Sequence, residues 1–220
     1  MKSWFRHNGL SIVVLSIFVA LLVGQALTGW HSHNEERLQQ GAEALSLPSY
    51  LSSGHFGEAT SENWESEFLQ MAAYVLFTVF LRQKGSAESK PFSGEQAVDR
   101  DPRLDRNKRD APYPVRRGGW LLRLYEWSLS LAFFALFILA FVWHMAGGYR
   151  LENDERVLDG LPPVTFSGFI SSAEFWFQSL QNWQSEFLAV GAIVVLSIWL
   201  RQRGSPESKP VSAPHDQTGE

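Results

Sequence analysis

Two long uncharged stretches dominate the pattern of apolar and polar positions along the chain. Residues 8–30 and 127–149 contain no Asp, Glu, Lys or Arg. Since an α-helix rises about 1.5 Å per residue, each stretch is long enough to cross a hydrocarbon core of about 30 Å. We therefore predict a membrane-spanning helix in each of them.

Two shorter apolar stretches, residues 68–81 and 187–200, hold fourteen uncharged residues each. A span requires about 20 residues, so these stretches are long enough only if their helices begin near Asn63 and Asn182. On that basis the sequence predicts four spans, at about residues 9–30, 63–82, 124–148 and 180–201. A short buried or re-entrant helix is the alternative for the second and fourth spans.

The basic residues indicate the orientation of these spans, because Lys and Arg are concentrated on the cytoplasmic side of membrane proteins. With a cytoplasmic N-terminus, 16 of the 19 Lys and Arg residues fall on the inner side. The two segments on the outer side, residues 31–62 and 150–181, are acidic. The sequence therefore predicts that both termini are cytoplasmic.

The second half of the chain repeats the first. Shifting the sequence by 119 residues aligns residues 10–91 with 129–210 without a gap, and 29 of these 82 positions are identical. The matching text includes NEER with NDER, two copies of NW-x-SEFL and two copies of LRQ-x-GS-x-ESKP. Because each repeat contains two spans, both repeats enter and leave the membrane on the same side, so the repeat is parallel and a four-helix bundle follows.

The repeat determines the predicted domain organisation. Residues 1–91 form the first repeat and residues 120–210 the second, while the polar segment 92–119 is predicted to be a disordered cytoplasmic linker. Residues 211–220 are predicted to be a disordered tail. A secretory signal peptide is the competing interpretation of residues 1–30. We prefer a retained anchor, because the apolar stretch is longer than a signal requires and its counterpart in the second repeat is internal.

The outer segments begin with NEERLQQ and NDERVLD, which are rich in good helix formers. We expect each of these stretches to form a short amphipathic helix at the outer surface. An aromatic-rich approach to the next span follows in each repeat.

Four polar residues are predicted to lie at one depth within the spans. Glu67 and Glu186 occupy equivalent positions in the two repeats, about 22 Å along their helices from the inner boundary. Gln25 and its counterpart His144 lie at about the same depth on the preceding helices. Carboxylates within a span are costly and usually face a bundle interior or a wet cavity. The four residues are therefore a candidate intramembrane cluster, in which His144 is expected to bond to Glu186.

The two carboxylates also have a structural interpretation. If Asn63 and Asn182 are N-caps, Glu67 and Glu186 lie in the first turns of their helices. The positive end of the helix dipole stabilises a negative charge there. The sequence leaves both interpretations open: a site for cation or proton traffic, or a pair of capped helix starts.

Small residues mark one face of the first span. Ala20, Gly24 and Thr28 follow one another at intervals of four residues. Small residues at this spacing allow helices to approach closely in lipid. Two of the aligned residues in the second repeat, Leu139 and Trp143, are much larger, so we expect the two halves to pack differently.

Composition and motifs exclude several kinds of site. The chain has no Cys, which excludes disulfides and thiolate metal sites, and its 19 basic against 23 acidic residues do not suggest nucleic-acid binding. His31 and His33 lie close to Glu35 and Glu36, a combination that suits divalent ions. The second repeat lacks these ligands, so an ordinary loop is preferred and no metal is predicted. A lone His144 does not predict haem, and no cofactor is expected.

Several distinctive blocks carry a resemblance to a known family: VGQALTGW, NEER, ENWESEFLQMAAYVL, PVRRGGWLLRLYE and NWQSEFLAV with LRQRGSPESKP. In these blocks, which are spread over nearly the whole chain, the sequence resembles bacterial integral-membrane proteins grouped as a domain of unknown function. The resemblance implies a bacterial inner-membrane location and a helical architecture. It implies no activity.

These patterns together predict an all-α membrane protein with four transmembrane helices, arranged as two parallel tandem repeats of two helices, and short amphipathic outer-surface helices. The preferred role is structural or interaction-based, with the lipid bilayer and a second copy or another membrane protein as partners and no nucleic acid. A small cation or proton channel or transporter using Glu67 and Glu186 is the alternative. A membrane enzyme or redox subunit is a further alternative, although no motif of a hydrolase, a zinc protease or a nucleotide-binding site is present.

Overall fold

The computed structural model describes residues 2–94 and 96–219. Within these residues every regular element is helical and no strand occurs, so the all-α prediction is confirmed for this part of the chain. The helices are α1 (Lys2–Gln39), α2 (Leu47–Leu51), α3 (Gly54–Phe80), α4 (Tyr113–Arg117), α5 (Gly119–Glu126), α6 (Ser128–Leu158), α7 (Phe166–Ile170) and α8 (Ala173–Leu196). Two short 3₁₀ helices, Ala97–Asp99 and Pro102–Asp105, lie between α3 and α4.

Among the residues that the structure describes, two helices are long and apolar enough to cross a membrane, by length and composition. They are Trp4–Gln39, which is nearly all of α1, and Ser128–Leu158, which is α6. The apolar part of α1 buries none of its residues within the chain. Both helices match the first and third of the predicted spans.

The contacts divide the chain into two compact units. Unit 1 comprises Met1–Ser61 and Val142–Trp176, and unit 2 comprises Glu62–Phe141 and Phe177–Glu220. The division falls within α3, α6 and α8, so each unit contains parts of both halves of the sequence. The domain boundaries drawn from the repeat stay predictions.

The outer segments begin differently from the prediction. NEERLQQ and NDERVLD do not form separate helices, because they lie at the ends of α1 and α6. No Pro or Gly lies between the apolar stretches and these ends, so nothing interrupts either helix. The prediction of separate amphipathic helices at these positions is therefore wrong. The short helices of the outer segments are α2 and α7, with five residues each.

A glycine lies two residues after the end of α1 and another lies two residues after the end of α6. Gly41 has a φ of 77° and Gly160 has a φ of 71°, in the left-handed region that glycine adopts without steric cost. The backbone N–H of the residue after each glycine donates to a carbonyl five residues earlier, at 2.8 Å and 2.7 Å. These bonds satisfy carbonyl groups that the helix end would otherwise leave exposed.

An asparagine near each of these helix ends binds the chain that follows. The backbone N–H of Leu45 donates to Asn34 Oδ1 at 2.7 Å, and that of Val164 donates to Asn153 Oδ1 at 2.8 Å. The Asn34 amide also donates to the carbonyl of Leu45 at 3.0 Å. These bonds turn the chain back towards α2 and α7.

Helices α3 and α8 begin nine residues before Asn63 and Asn182, respectively. Neither asparagine is therefore an N-cap, and the interpretation that placed Glu67 and Glu186 in first turns is wrong. Both carboxylates lie in the interior of their helices. The helix dipole does not account for them, because its effect falls off within the first turn.

Serines stabilise the true starts of these two helices. The backbone N–H of Phe56 donates to Ser53 Oγ at 3.3 Å, and that of Phe175 donates to Ser172 Oγ at 3.2 Å. Each serine hydroxyl thus accepts from one of the N–H groups that a helix start leaves without an intrahelical partner.

Within unit 1, α3 and α6 cross at glycines. A Cβ on Gly54 would lie 2.5 Å from the backbone nitrogen of Leu151, and a Cβ on Gly147 would lie 2.6 Å from the backbone nitrogen of Glu58. The two backbones are therefore in direct contact. Such an approach is possible only where no side chain intervenes, which is the reason that small residues occur at close helix crossings.

Within unit 2, Lys209 is buried with a relative exposure of 1%. Its Nζ donates to the carbonyls of Gly85, of Gln217 at 2.8 Å, of His215 at 3.0 Å and of Pro214 at 3.3 Å. Burial lowers the pKa of this ammonium group. The four carbonyls offset part of the cost of removing the ammonium group from water.

Candidate functional site

A cavity of about 430 Å³ lies in unit 1, beside the end of α1 and the start of α3. Its charged and titratable lining consists of His33, Glu36, Arg37, His55, Asp154 and Glu155. We refer to it as the histidine cavity. The cavity forms because α1 and α6 continue beyond their apolar stretches. Their polar last turns therefore lie beside the first turn of α3.

Two imidazoles from different helices stack inside this cavity. The rings of His33 and His55 lie 4.4 Å apart between centroids, with an interplanar angle of 29°. Tyr50, which is almost fully buried, places its hydroxyl 3.2 Å from His55 Nδ1. The tyrosine ring also contacts both imidazoles, at 5.9 Å and 5.7 Å between centroids. The three rings therefore form one aromatic cluster.

The surroundings favour the neutral forms of this cluster. Burial lowers the pKa of His55, and the Glu36 carboxylate opposes that shift only in part. Burial also raises the pKa of Tyr50. The hydrogen bond between these two side chains therefore joins two neutral groups near neutral pH.

The sequence singled out His31 and His33 together, but the structure separates them. Residues two apart on a helix do not face each other. His33 stacks on His55, whereas His31 is exposed and its ring lies 4.9 Å from that of Trp30. Within residues 2–94 and 96–219, no group of three His, Cys, Asp or Glu side chains is placed to hold a metal ion.

Two residues of the predicted intramembrane cluster lie in unit 1. Gln25 Nε2 donates to the carbonyl of Ala59 and to Thr60 Oγ1, both at 3.3 Å. His144 is fully buried, and its ring lies 5.1 Å from that of Phe175. Both side chains thus have their contacts within unit 1.

The other two predicted cluster residues, Glu67 and Glu186, lie in unit 2. Glu67 is exposed and Glu186 is half-buried. Glu67 and Glu186 lie close enough for their carboxyl groups to interact electrostatically. The grouping of Glu67 and Glu186 with Gln25 and His144 into one site stays a prediction.

The fully buried carboxylate of unit 2 is Glu65, which sequence reasoning missed. Its relative exposure is 0%, and Trp183 Nε1 donates to its Oε1 at 3.0 Å. The rings of Phe137 and Phe141 lie 6.1 Å and 6.3 Å from the Trp183 ring. A buried carboxyl group thus accepts from an indole N–H beside two phenylalanine rings.

Helical geometry signals only that Glu65 and Glu67 lie on different faces. Residues two apart on an α-helix point about 200° apart, so Glu65 and Glu67 do not share a face. The comparison of the repeats favoured Glu67, because its counterpart is also a glutamate whereas the counterpart of Glu65 is Gln184. His55 was missed for a similar reason, since its counterpart is Glu174.

The predicted packing residues of the first span are exposed in the isolated chain. Ala20, Gly24 and Thr28 are exposed, and a Cβ on Gly24 would meet no atom within 4 Å. Thr28 Oγ1 donates to the carbonyl of Gly24 at 2.8 Å, so its hydroxyl is satisfied within its own helix.

Comparison with known proteins supplies a family but no activity. No curated protein matches the chain, and no solved structure matches it. The family that does match is described as a domain of unknown function, DUF6766, and the match extends over residues 1–220. Because this match covers the whole sequence, the chain belongs to the DUF6766 family.

Proposed function

We propose that this chain is a structural protein of the bacterial inner membrane that associates with a second copy of itself through α1. In this proposal it has four spans in two parallel tandem repeats, and both termini are cytoplasmic. The two long apolar helices support the membrane location. The distribution of Lys and Arg supports the orientation.

The lengths of the remaining two long helices support four spans. Helix α3 has 27 residues and α8 has 24 residues. At about 1.5 Å per residue they extend about 40 Å and 36 Å, which exceeds a hydrocarbon thickness of about 30 Å. Their charged residues are concentrated before the apolar stretches 68–81 and 187–200.

Matching local contacts support the tandem repeat. The asparagine bonds and the glycine helix ends described above recur 119 residues apart. A Cβ on Gly29 would meet the Tyr50 hydroxyl, and a Cβ on Gly148 would lie 2.8 Å from the ring of Phe169. These two pairs also occupy equivalent positions in the aligned halves.

The observation that carries the proposed self-association is the exposure of the apolar portion of α1. Its apolar portion buries no residue within the chain, whereas α6 buries Phe137, Ala140 and His144. The exposed face includes Gly24, where an added Cβ would meet no atom within 4 Å. Small residues on an exposed membrane helix permit the close backbone contact that drives helix association in lipid.

Oligomeric state in nanodiscs tests this proposal. Gly24→Leu places a bulky side chain on the small-residue face and is expected to weaken self-association about tenfold, a typical penalty for overpacking. Ser11→Leu is the matched control, because residue 11 lies about 140° around the helix from residue 24. Single-molecule photobleaching counts the copies in each sample.

A wild-type chain that stays monomeric over the whole range of protein-to-lipid ratios would refute the proposed self-association. Equal weakening by Gly24→Leu and Ser11→Leu would refute the assigned face. The expected result is a copy number of two or more for wild type and Ser11→Leu, with a shift towards one for Gly24→Leu.

The absence of Cys makes the proposed topology testable by labelling. Ser32→Cys introduces a thiol in the first outer segment, and Ser93→Cys introduces one on the cytoplasmic side. A membrane-impermeant maleimide is expected to label Ser32→Cys in intact spheroplasts and Ser93→Cys only after lysis. The reverse pattern would contradict the orientation.

A small cation or proton pathway is the second candidate function. It is favoured by the electrostatic interaction of Glu67 with Glu186 in unit 2, since like charges within range of each other are stabilised by a cation nearby. Glu67→Gln with Glu186→Gln is expected to reduce flux into liposomes, whereas Glu62→Gln with Glu174→Gln is the matched control. Flux unchanged by the first double variant would exclude this pathway.

A further inference from the structure

Two neighbouring cavities in unit 2 share one arginine. The first, of about 560 Å³, is lined by Arg103, Arg106, Arg123 and Trp120, and we name it the basic cavity. The second, of about 690 Å³, lies between α3 and the start of α6, and we name it the apolar groove. Arg123, near the end of α5, lines both of them.

Of the three arginines that line the basic cavity, Arg103 pairs with Asp101 at 3.9 Å, whereas the other two lack an acidic partner among the residues that the structure describes. Asp105 is held outside the lining by Arg100 at 3.3 Å and by Lys108 at 2.9 Å. Among the ion pairs of the described residues, Arg106 and Arg123 have no carboxylate partner. Two guanidinium groups are therefore available to bind an anion.

The backbone beside these arginines also favours an anion. Gly118 and Gly119 line the cavity with φ values of 72° and 68°, and no side chain caps the start of α5 at Gly118. Helix N-termini attract negative charge through their N–H groups. Arg106 is positioned by its Nε, which donates to the carbonyl of Arg116 at 3.1 Å.

The apolar groove has the opposite character. Its lining is apolar except for Arg123 and Ser130. Ala73 on α3 lines the groove together with Leu131 and Phe134 on α6. The groove therefore offers an apolar surface with the guanidinium group of Arg123 in its lining.

We propose that the basic cavity and the apolar groove together bind one anionic phospholipid. Its phosphate lies between Arg106 and Arg123, and one acyl chain lies in the groove. Charge complementarity selects an anionic headgroup over a zwitterionic one. The predicted third span starts near residue 124, so Arg123 lies at the depth of cytoplasmic headgroups. The inference rests on the membrane insertion proposed above.

Native mass spectrometry of the full chain in detergent tests the site. The protein is titrated with phosphatidylglycerol and, in parallel, with phosphatidylcholine of the same acyl chains. Wild type is expected to retain phosphatidylglycerol more tightly. Arg106→Gln with Arg123→Gln is expected to weaken that binding about 30-fold, because each arginine near an anionic headgroup contributes about fivefold.

A matched control separates the site from general charge. Arg109→Gln with Arg117→Gln removes the same two charges from the same segment but from outside the cavity lining. We expect this variant to bind phosphatidylglycerol as wild type does. An equal loss in the control, or no preference of wild type for the anionic lipid, would overturn the proposal.

The groove is tested by the acyl chain. Phosphatidylglycerol with six-carbon chains is expected to bind wild type more weakly than the long-chain lipid, and Ala73→Phe is expected to reduce long-chain binding. The first of these measurements needs no variant, so it does not depend on how Ala73→Phe folds. Inorganic phosphate is the second ligand tested. If it binds as tightly as the lipid and chain length has no effect, the ligand is a free phosphate and the lipid proposal is wrong.

Different experimental results would refute the proposed function and the proposed lipid site. Carbonate extraction of the chain from membranes would refute the membrane insertion and the lipid site together. Retention in the membrane with failed lipid tests would refute the lipid site alone. The copy number read from the same spectra reports separately on self-association through α1.

Discussion

Replacing Gly147 by Ala tests whether the crossing of α3 and α6 in unit 1 depends on the absence of a side chain. The new Cβ would lie 2.6 Å from the backbone nitrogen of Glu58 and 2.9 Å from the carbonyl carbon of Gly57. Ordinary van der Waals contact begins at 3.4 Å, so the closer pair is 0.8 Å too short. Both obstructing atoms belong to the backbone, so no side-chain rotation relieves the contact and the helices must separate.

The expected cost combines two effects of opposite sign. Overpacking of a close contact destabilises by about 1–3 kcal/mol. Exchange of Gly for Ala inside a helix stabilises by about 0.5–1 kcal/mol. We therefore expect Gly147→Ala to lower the free energy of unfolding by about 1–2 kcal/mol. For a chain of this size that lowers Tm by about 2–8 °C.

Gly191→Ala is the matched control. Residue 191 lies within α8, and a Cβ there would meet no atom within 4 Å. Only the gain in helix propensity applies, so Tm is expected to rise by about 1–4 °C. Thermal unfolding in detergent, followed by the fluorescence of the 9 tryptophans, measures both variants. Shifts of the two variants in the same direction would refute the reasoning.

Three further predictions use the same unfolding assay. Asn34→Ala removes two hydrogen bonds to Leu45 and is expected to cost about 1–3 kcal/mol, whereas Asn34→Asp retains the acceptor and should cost less; equal losses would contradict the assigned bonds. Burial lowers the pKa of His55 below its ordinary value of 6.5. The unfolded chain therefore binds more protons than the folded chain, and the folded state loses stability as the pH falls below about 6.5. His55→Gln should flatten the dependence of Tm on pH between about pH 7.5 and 5.5. Trp183→Phe removes the indole donor to Glu65 and is expected to cost about 1–3 kcal/mol, and an unchanged Tm would show that this bond does not stabilise the fold.

Hydrophobic length was sufficient to predict where α1 and α6 lie, because it is a property of the local sequence. It did not indicate where α3 and α8 begin. The first turns of α3 are largely polar, and those of α8 mix aromatic with polar residues. Hydropathy therefore marks the start of the continuous apolar stretch and not the start of the helix. The side chains of Ser53 and Ser172 mark the true starts, and each forms its bond to an N–H three residues later.

The candidate site was less predictable, because it depends on which face of each helix turns inward. Periodicity around Glu65 and Glu67 shows that they point apart, but only tertiary packing decides that Glu65 is buried. The partnership of His33 with His55 likewise joins residues 22 positions apart on two helices. The contact forms because α1 continues beyond Trp30 and includes His33. The prediction of a separate outer helix did not place His33 on α1, so it did not predict this contact.

The burial of the Lys209 ammonium group has a consequence for the chemical reactivity of unit 2. Its four carbonyl partners belong to Gly85 and to residues 214–217. The ammonium group therefore links the C-terminal segment to a loop that is more than 100 residues earlier in the sequence. An amine-acylating reagent should therefore modify the exposed Lys84 long before Lys209. Removal of residues 214–220 should make Lys209 reactive, so the rate of acylation of this one amine reports whether the C-terminus is docked.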